Sequence, residues 1–203
     1  MKTLLSTTYC GPVQWYQKLY RSEEVLMERH ETFQKQTYRN RCVIATTNGL
    51  QTLTVPVERS SSNLIKDIRI SNHGNWRHQH WFALISAYNE SPFFDYYQDD
   101  FRPFYERQYD FLYDFNMEIC HKVCELIDIQ PNIKETSSYR SAGVQEFRII
   151  DFRSAINPKH PADDADFVPR RYYQVYERKH GFQPNLSILD LLFNMGPESV
   201  FWL

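Results

Sequence analysis

The hydrophobic period of this chain changes near residue 72, and that change constrains the fold more than any other feature. Upstream, Leu53 and Val55 alternate with Thr52 and Thr54, and Ile68 and Ile70 flank Arg69. A period of two belongs to half-buried strands. Downstream, His80, Trp81, Leu84, Ile85 and Tyr88 fall on one helical face. Phe104, Phe111, Leu112, Phe115, Ile119, Val123 and Leu126 then follow the three-four spacing of a long amphipathic helix. Strands followed by helices bury both apolar faces by packing one layer on the other. The expected fold is therefore α/β. It is a single domain over 1–203, with a mixed β-sheet, largely N-terminal, covered by a helical layer. The strand-rich part spans 1–72, the helical part 76–128 and a mixed C-terminal part 146–203.

Local signals set the elements. Lys2–Thr8 reads as a strand, Gly11-Pro12 opens a helix over 12–21, and Glu24–Arg29 reads as a second strand. Asn48-Gly49 lies between the β-rich runs Cys42–Thr46 and Gln51–Val57, predicting a hairpin whose two central residues tolerate positive φ. Residues 130–145 read as a connection, and Phe147–Phe152 as a returning strand. The run 154–171, with Pro158, Pro161 and Pro169, reads as a long irregular segment, functional or disordered. Ser187 is an N-cap with Asp190 at N3, Leu186 and Leu191 form a hydrophobic staple, and Gly196-Pro197 stops the helix.

Composition excludes several classes. With 42% hydrophobic and 24% charged residues in 203, the chain is globular rather than disordered. The apolar run Trp81–Ile85 falls far short of the ~20 residues a membrane span needs, and the first residues lack a signal peptide, so a cytoplasmic location is expected. Only six glycines are present, without G-x-G-x-x-G or G-x-x-x-x-G-K-[ST], so dinucleotide and P-loop sites lose their usual signal. The four cysteines form no C-x-x-C pair and read as reduced, buried thiols. The formal charge is -2, with ten acidic and three basic residues over 90–128, which read as solvated helix faces. A nucleic-acid polymer is not an expected partner.

Two constellations could carry chemistry. Lys35-Gln36-Thr37-Tyr38-Arg39-Asn40-Arg41 holds three cations and no anion. Arg forks bind phosphate or carboxylate oxygens bidentately, and Tyr38 could stack on a base or sugar. Such a loop suits an anionic small molecule such as a nucleotide-sugar or acyl donor. The competing reading is a turn whose arginines pair with nearby acids. The second constellation is His73, His78 and His80 with Trp76 and Trp81. His80 either serves as a general base or sits hydrogen-bonded in the core. His78 and His80 diverge on a helix, so no metal site is expected. Cys10, at a helix start, is either a reactive thiol or a buried one.

Taken together, several blocks resemble the WbqC-like protein family. They are Tyr9–Lys18, Lys35–Ile44, Leu53-Thr-Val-Pro-Val, Trp76-x-x-x-His80 with Tyr88, Tyr173-Gln-Val-Tyr, and Gly181-Phe-Gln-Pro-Asn-Leu-Ser-Ile-Leu-Asp-Leu-Leu-Phe-Asn-x-Gly-Pro. The resemblance implies a place among genes of O-antigen and surface polysaccharide assembly. Combined with the residues, it suggests a group transferase moving an acyl or aminoacyl group onto an activated amino sugar. In that reading Lys35, Tyr38, Arg39, Asn40, Arg41, Trp76 and Tyr88 bind substrate and His80 is the base. The alternative is a non-catalytic binding or scaffold protein of the same pathway. The sequence names no cofactor. The enzymatic reading expects the basic bend and His80 to meet on one concave surface.

Overall fold

A computed structural model describes residues 1–58, 61–141 and 149–203. In chain order, β1 (Lys2–Ser6), α1 (Val13–Arg21) and β2 (Glu24–Glu28) form a β-α-β unit. A hairpin follows, β3 (Arg41–Thr46) and β4 (Gly49–Thr54). Three helices come next: α2 (Trp76–Tyr88), α3 (Phe94–Glu106) and α4 (Leu112–Leu126). Then come β5 (Ile133–Glu135), β6 (Ile149–Asp151), the short α5 (Glu177–His180) and α6 (Ile188–Met195).

β1 and β2 pair in parallel, from Lys2 opposite Glu24 to Ser6 opposite Glu28. Parallel neighbours need a crossover, which α1 supplies by burying Trp15, Tyr16 and Leu19. β5 pairs in parallel with β2, and β6 with β1, so the sheet order is β5-β2-β1-β6. The central strands bury Leu4, Leu5, Val25 and Met27, the near-continuous apolar run of a strand covered on both faces. The α/β domain is thus as expected, with the parallel and antiparallel pairings in two separate sheets. β3 and β4 form their own two-stranded ribbon.

The structure differs from expectation in four places. Register pairs Thr46 with Gly49, so the hairpin bends over Thr47 and Asn48, and Gly49 takes the left-handed φ of +105° while Asn48 does not. Ile68–Ile70 makes isolated bridges, Val57 with Ile70 and Arg69 with Phe111, rather than a strand. The helix expected through Phe104 and Phe111 is broken between α3 and α4. There Asp110 O accepts from Ile70 N and Leu112 N donates to Ile68 O, so bridge pairing replaces helical bonds. β5 lies inside the expected connection 130–145. The expected strand Phe147–Phe152 is seen as β6, with residues 147 and 148 outside the described residues.

α6 lies at the centre of the helical layer, its residues from Ile188 to Asn194 all buried. Ser187 Oγ accepts from Leu189 N at 3.3 Å, the expected cap. Gly196 ends the helix at φ +57°, where a Cβ would meet the Phe93 ring at 2.6 Å. All four cysteines are free and buried. Among the described residues, no helix is long and apolar enough to cross a membrane.

Candidate functional site

Open parallel sheets gather their ligand crevices at the carboxyl ends of the strands, where the loops leave the sheet. In this chain that edge is marked by Ser6, Glu28 and Asp151, the last residues of β1, β2 and β6. A cleft of about 570 Å³ opens there, walled by Glu31, Gln34, Arg39, Tyr139, Asp151 and Arg153.

Two buried arginine forks build its floor. Arg39 donates from Nε to Glu31 Oε1 at 2.8 Å and from Nη2 to Glu31 Oε2 at 2.5 Å and Ser6 Oγ at 2.8 Å. The pair is almost fully enclosed, at 4% and 6% side-chain exposure. Arg153 donates to Asp151 through Nε at 3.0 Å and Nη2 at 2.6 Å, and through Nη1 to Glu28 at 3.3 Å. Burial works against the Arg153 charge, and contacts with Asp151, Tyr139 and Glu28 still raise its pKa. Glu28, fully buried, also accepts from His30 N at 2.8 Å, Thr136 Oγ1 at 2.7 Å and Arg140 N at 3.0 Å. The network ties together the loops that follow β2, β5 and β6. A buried ion pair adds little net stability, but removing one partner leaves an uncompensated charge and costs roughly 3–5 kcal/mol.

The cleft is therefore not a bare cationic pocket, since Arg39 and Arg153 both face carboxylates. Asp151 keeps 30% of its side chain exposed and offers the accessible acid. Tyr139 is half exposed, with the Arg153 guanidinium 5.1 Å from its ring centre.

Of the residues singled out from sequence, Arg39 alone lines this cleft. Lys35 is exposed on the same bend. Tyr38 is half-buried, its carbonyl accepting from Tyr9 N at 2.9 Å, and burial raises its phenol pKa. Asn40 clamps the hairpin through Nδ2 to Val55 O at 2.9 Å. Arg41 begins β3 opposite Thr54. Trp76 is buried and donates to Ser71 O at 3.0 Å. Tyr88 donates to the buried Asp190 at 2.9 Å.

His80 lies in the core, 5% exposed, and lines no described cavity. Its Nδ1 is 2.9 Å from Tyr9 Oη, which is 2.9 Å from Tyr105 Oη. The backbone of Thr54 acts on the ring in favour of its charged form. With Tyr105 donating to Tyr9 and Tyr9 to Nδ1, the ring carries its proton on Nε2, towards Thr54. Burial lowers the imidazole pKa to about 4, only partly offset by the Thr54 contact. At neutral pH the ring is a neutral clamp between β4 and the β1–α1 loop. The structure does not bring His80 and Arg39 to one surface. Glu31, Asp151 and Arg153 were missed from sequence, their signal being that each ends or follows a strand.

Asp190 also departs from its expected role. Its carboxylate accepts from Tyr88 and Tyr172 hydroxyls and from Gln174 Nε2, at 2.9, 2.7 and 3.0 Å, rather than closing a capping box. Burial pushes its pKa up to about 6, against these three donors. The start of α1 is closed as well. Val13 N donates to Leu186 O at 3.0 Å and Gln14 N to Asn185 Oδ1 at 2.9 Å, so no phosphate can use those groups. Lys18 and Asp164, 4% and 6% exposed, pair at 2.7 Å and pin the 154–171 segment to α1. Burial raises the Asp164 pKa, but Lys18 and Gln14 hold it below the usual carboxylate range. Burial pushes the Cys10 thiol up, the reverse of an activated thiol.

The fold and this cleft define an α/β protein with a polar, charge-paired, ligand-sized hollow at the carboxyl edge of a parallel sheet. Residues 7–165 match the WbqC-like protein family, and the chain belongs to that family. It is 27% identical over 206 residues to the uncharacterized protein Rv1507c of Mycobacterium tuberculosis, covering 89% of this chain and 87% of that one. No solved structure matches it.

Proposed function

We propose that the sheet-edge cleft receives the sugar of an activated amino-sugar precursor. The chain then acts as a group transferase, moving an acyl or aminoacyl group in surface polysaccharide assembly, in the cytoplasm. The observation that carries the reading is the wall itself. Among the described residues lining the cleft, Leu64 is the one aliphatic side chain. A polyhydroxylated ring offers many donors and acceptors, and paired carboxylates and guanidiniums answer both at fixed positions. Glu31 and Asp151 suit an amino group, Asp151 being the acid within reach of a ligand, and Tyr139 offers a ring face to the sugar. Arg39 in this reading positions Glu31 instead of holding an anion.

A volume of about 570 Å³ is within the ~300–1,000 Å³ range of small-molecule sites. The test is a thermal-shift and calorimetric titration with glucosamine and N-acetylglucosamine, which carry no nucleotide. Wild type binds an amino sugar and Asp151→Asn binds it at least about tenfold more weakly, a lost charged hydrogen bond. Equal binding by both proteins, or by neither, removes the reading.

The non-catalytic binding or scaffold role is the second reading. It is favoured by one observation: Arg39, Arg153, Glu28 and Glu31 are all internally paired, which holds a ligand without moving a proton. Sugar binding without turnover on a panel of acyl and aminoacyl donors selects it.

A further inference from the structure

A second cavity, of about 560 Å³, opens where the start of α2 meets the end of α3, and it shares no lining residue with the sheet-edge cleft. Its walls carry the rings of His78, Trp81, Phe82 and Tyr105 and the guanidiniums of Arg77 and Arg102. His78 and Phe82, one helical turn apart, stack with ring centres 4.2 Å apart and planes at 30°. Trp81 lies against Tyr105 at 5.7 Å and 28°. Phe82 is 52% exposed, an apolar ring left open at the wall of a hollow.

The two arginines differ. Arg102 pairs with Glu106 one turn away in open solvent. Arg77 has its guanidinium 4.7 Å from the Trp76 ring centre, with Nη2 donating to Asn72 Oδ1 at 2.9 Å. Its Nε is buried with no acceptor, and no carboxylate pairs with it among the described residues. Burial also lowers its pKa, so a nearby anion would favour its charge. Inorganic phosphate alone would answer the cation and leave the rings in water. An apolar ligand would cover the rings and leave Arg77 unanswered. A planar ring that carries a negative group answers both.

We propose that this cavity binds a nucleoside phosphate, with the base against Trp81 and Phe82 and the phosphate at Arg77. The site goes beyond the sugar reading and stands without it. Calorimetry with the full chain tests it, using ADP and UDP as probes and inorganic phosphate and adenosine as half-ligands. ADP or UDP binds and quenches tryptophan fluorescence, and each half-ligand binds at least about tenfold more weakly. Phe82→Ala, at an exposed position where the fold is indifferent, and Arg77→Gln each weaken nucleotide binding about tenfold or more. Asp151→Asn, in the other cleft, leaves it unchanged. No nucleotide binding at millimolar concentration overturns the proposal. So does equal binding by wild type and Phe82→Ala, or loss of binding in Asp151→Asn. Loss of amino-sugar binding alone would overturn only the sheet-edge reading.

Discussion

His80→Gln should make the protein less sensitive to acid while preserving its fold at neutral pH. Glutamine carries one acceptor for Tyr9 and donors for Thr54, so it can replace both contacts of the neutral imidazole. It cannot titrate. In wild type the folded-state pKa is about 4, against an unfolded reference of 6.5. The shift is downward for a base, so between pH 6.5 and 4 the unfolded state binds more protons. Stability then rises with pH through that window and is lost as pH falls below the unfolded pKa. At pH 5 nearly all unfolded chains carry the proton on this ring and roughly a tenth of folded ones do. The loss from pH 7 to pH 5 attributable to His80 is therefore about 2 kcal/mol. Urea unfolding at the two pH values reads this as a midpoint shift of roughly 0.7–1 M, present in wild type and absent in His80→Gln. Asp190 and the surface carboxylates titrate in both proteins and cancel in the difference. His80 and Tyr88, the nearest Asp190 partner on α2, are about 12 Å apart along the helix, far enough for additivity. An equal acid-induced loss in the two proteins would refute the picture of a desolvated, neutral His80.

Two further outcomes follow from the buried polar groups. Asp190 has its pKa raised from 3.8 to about 6, so its contribution to stability falls as pH rises through that window, opposite in sign to His80. Asp190→Asn should gain stability relative to wild type between pH 4 and 6, by up to about 3 kcal/mol, and a flat difference in urea midpoints would contradict this. Glu31→Gln leaves the enclosed Arg39 without its countercharge and should destabilise by roughly 3–5 kcal/mol in chemical unfolding. A loss under about 1 kcal/mol would mean that water already reaches Arg39.

Much of the architecture was legible because it is written locally. The cap at Ser187, the stop at Gly196, the β-α-β start and the hairpin all rest on residues within a few positions of one another. The break between α3 and α4 was not legible, because Phe104 and Phe111 keep the same helical phase across it. What interrupts the helix is a bridge to Ile68–Ile70, some forty residues upstream. β5 is only three residues long, and its reason to exist is the free edge of β2. The candidate site was legible only in part. The Lys35–Arg41 bend reads as a cationic loop until Glu31 folds back onto Arg39. Asp151 and Arg153 reach the same cleft through a parallel pairing of β6 with β1, which no local pattern announces. His80 reads correctly as a histidine on a packed helix face. That its ring is shielded from every described cavity depends on Tyr9 and Tyr105, which are distant in sequence.

A crystal structure of the chain grown with an amino sugar would test the cleft most directly. The expected result is a sugar ring beside Tyr139 with its amino group hydrogen-bonded to Asp151. An empty cleft at saturating sugar, or a sugar seated elsewhere on the chain, would contradict the account.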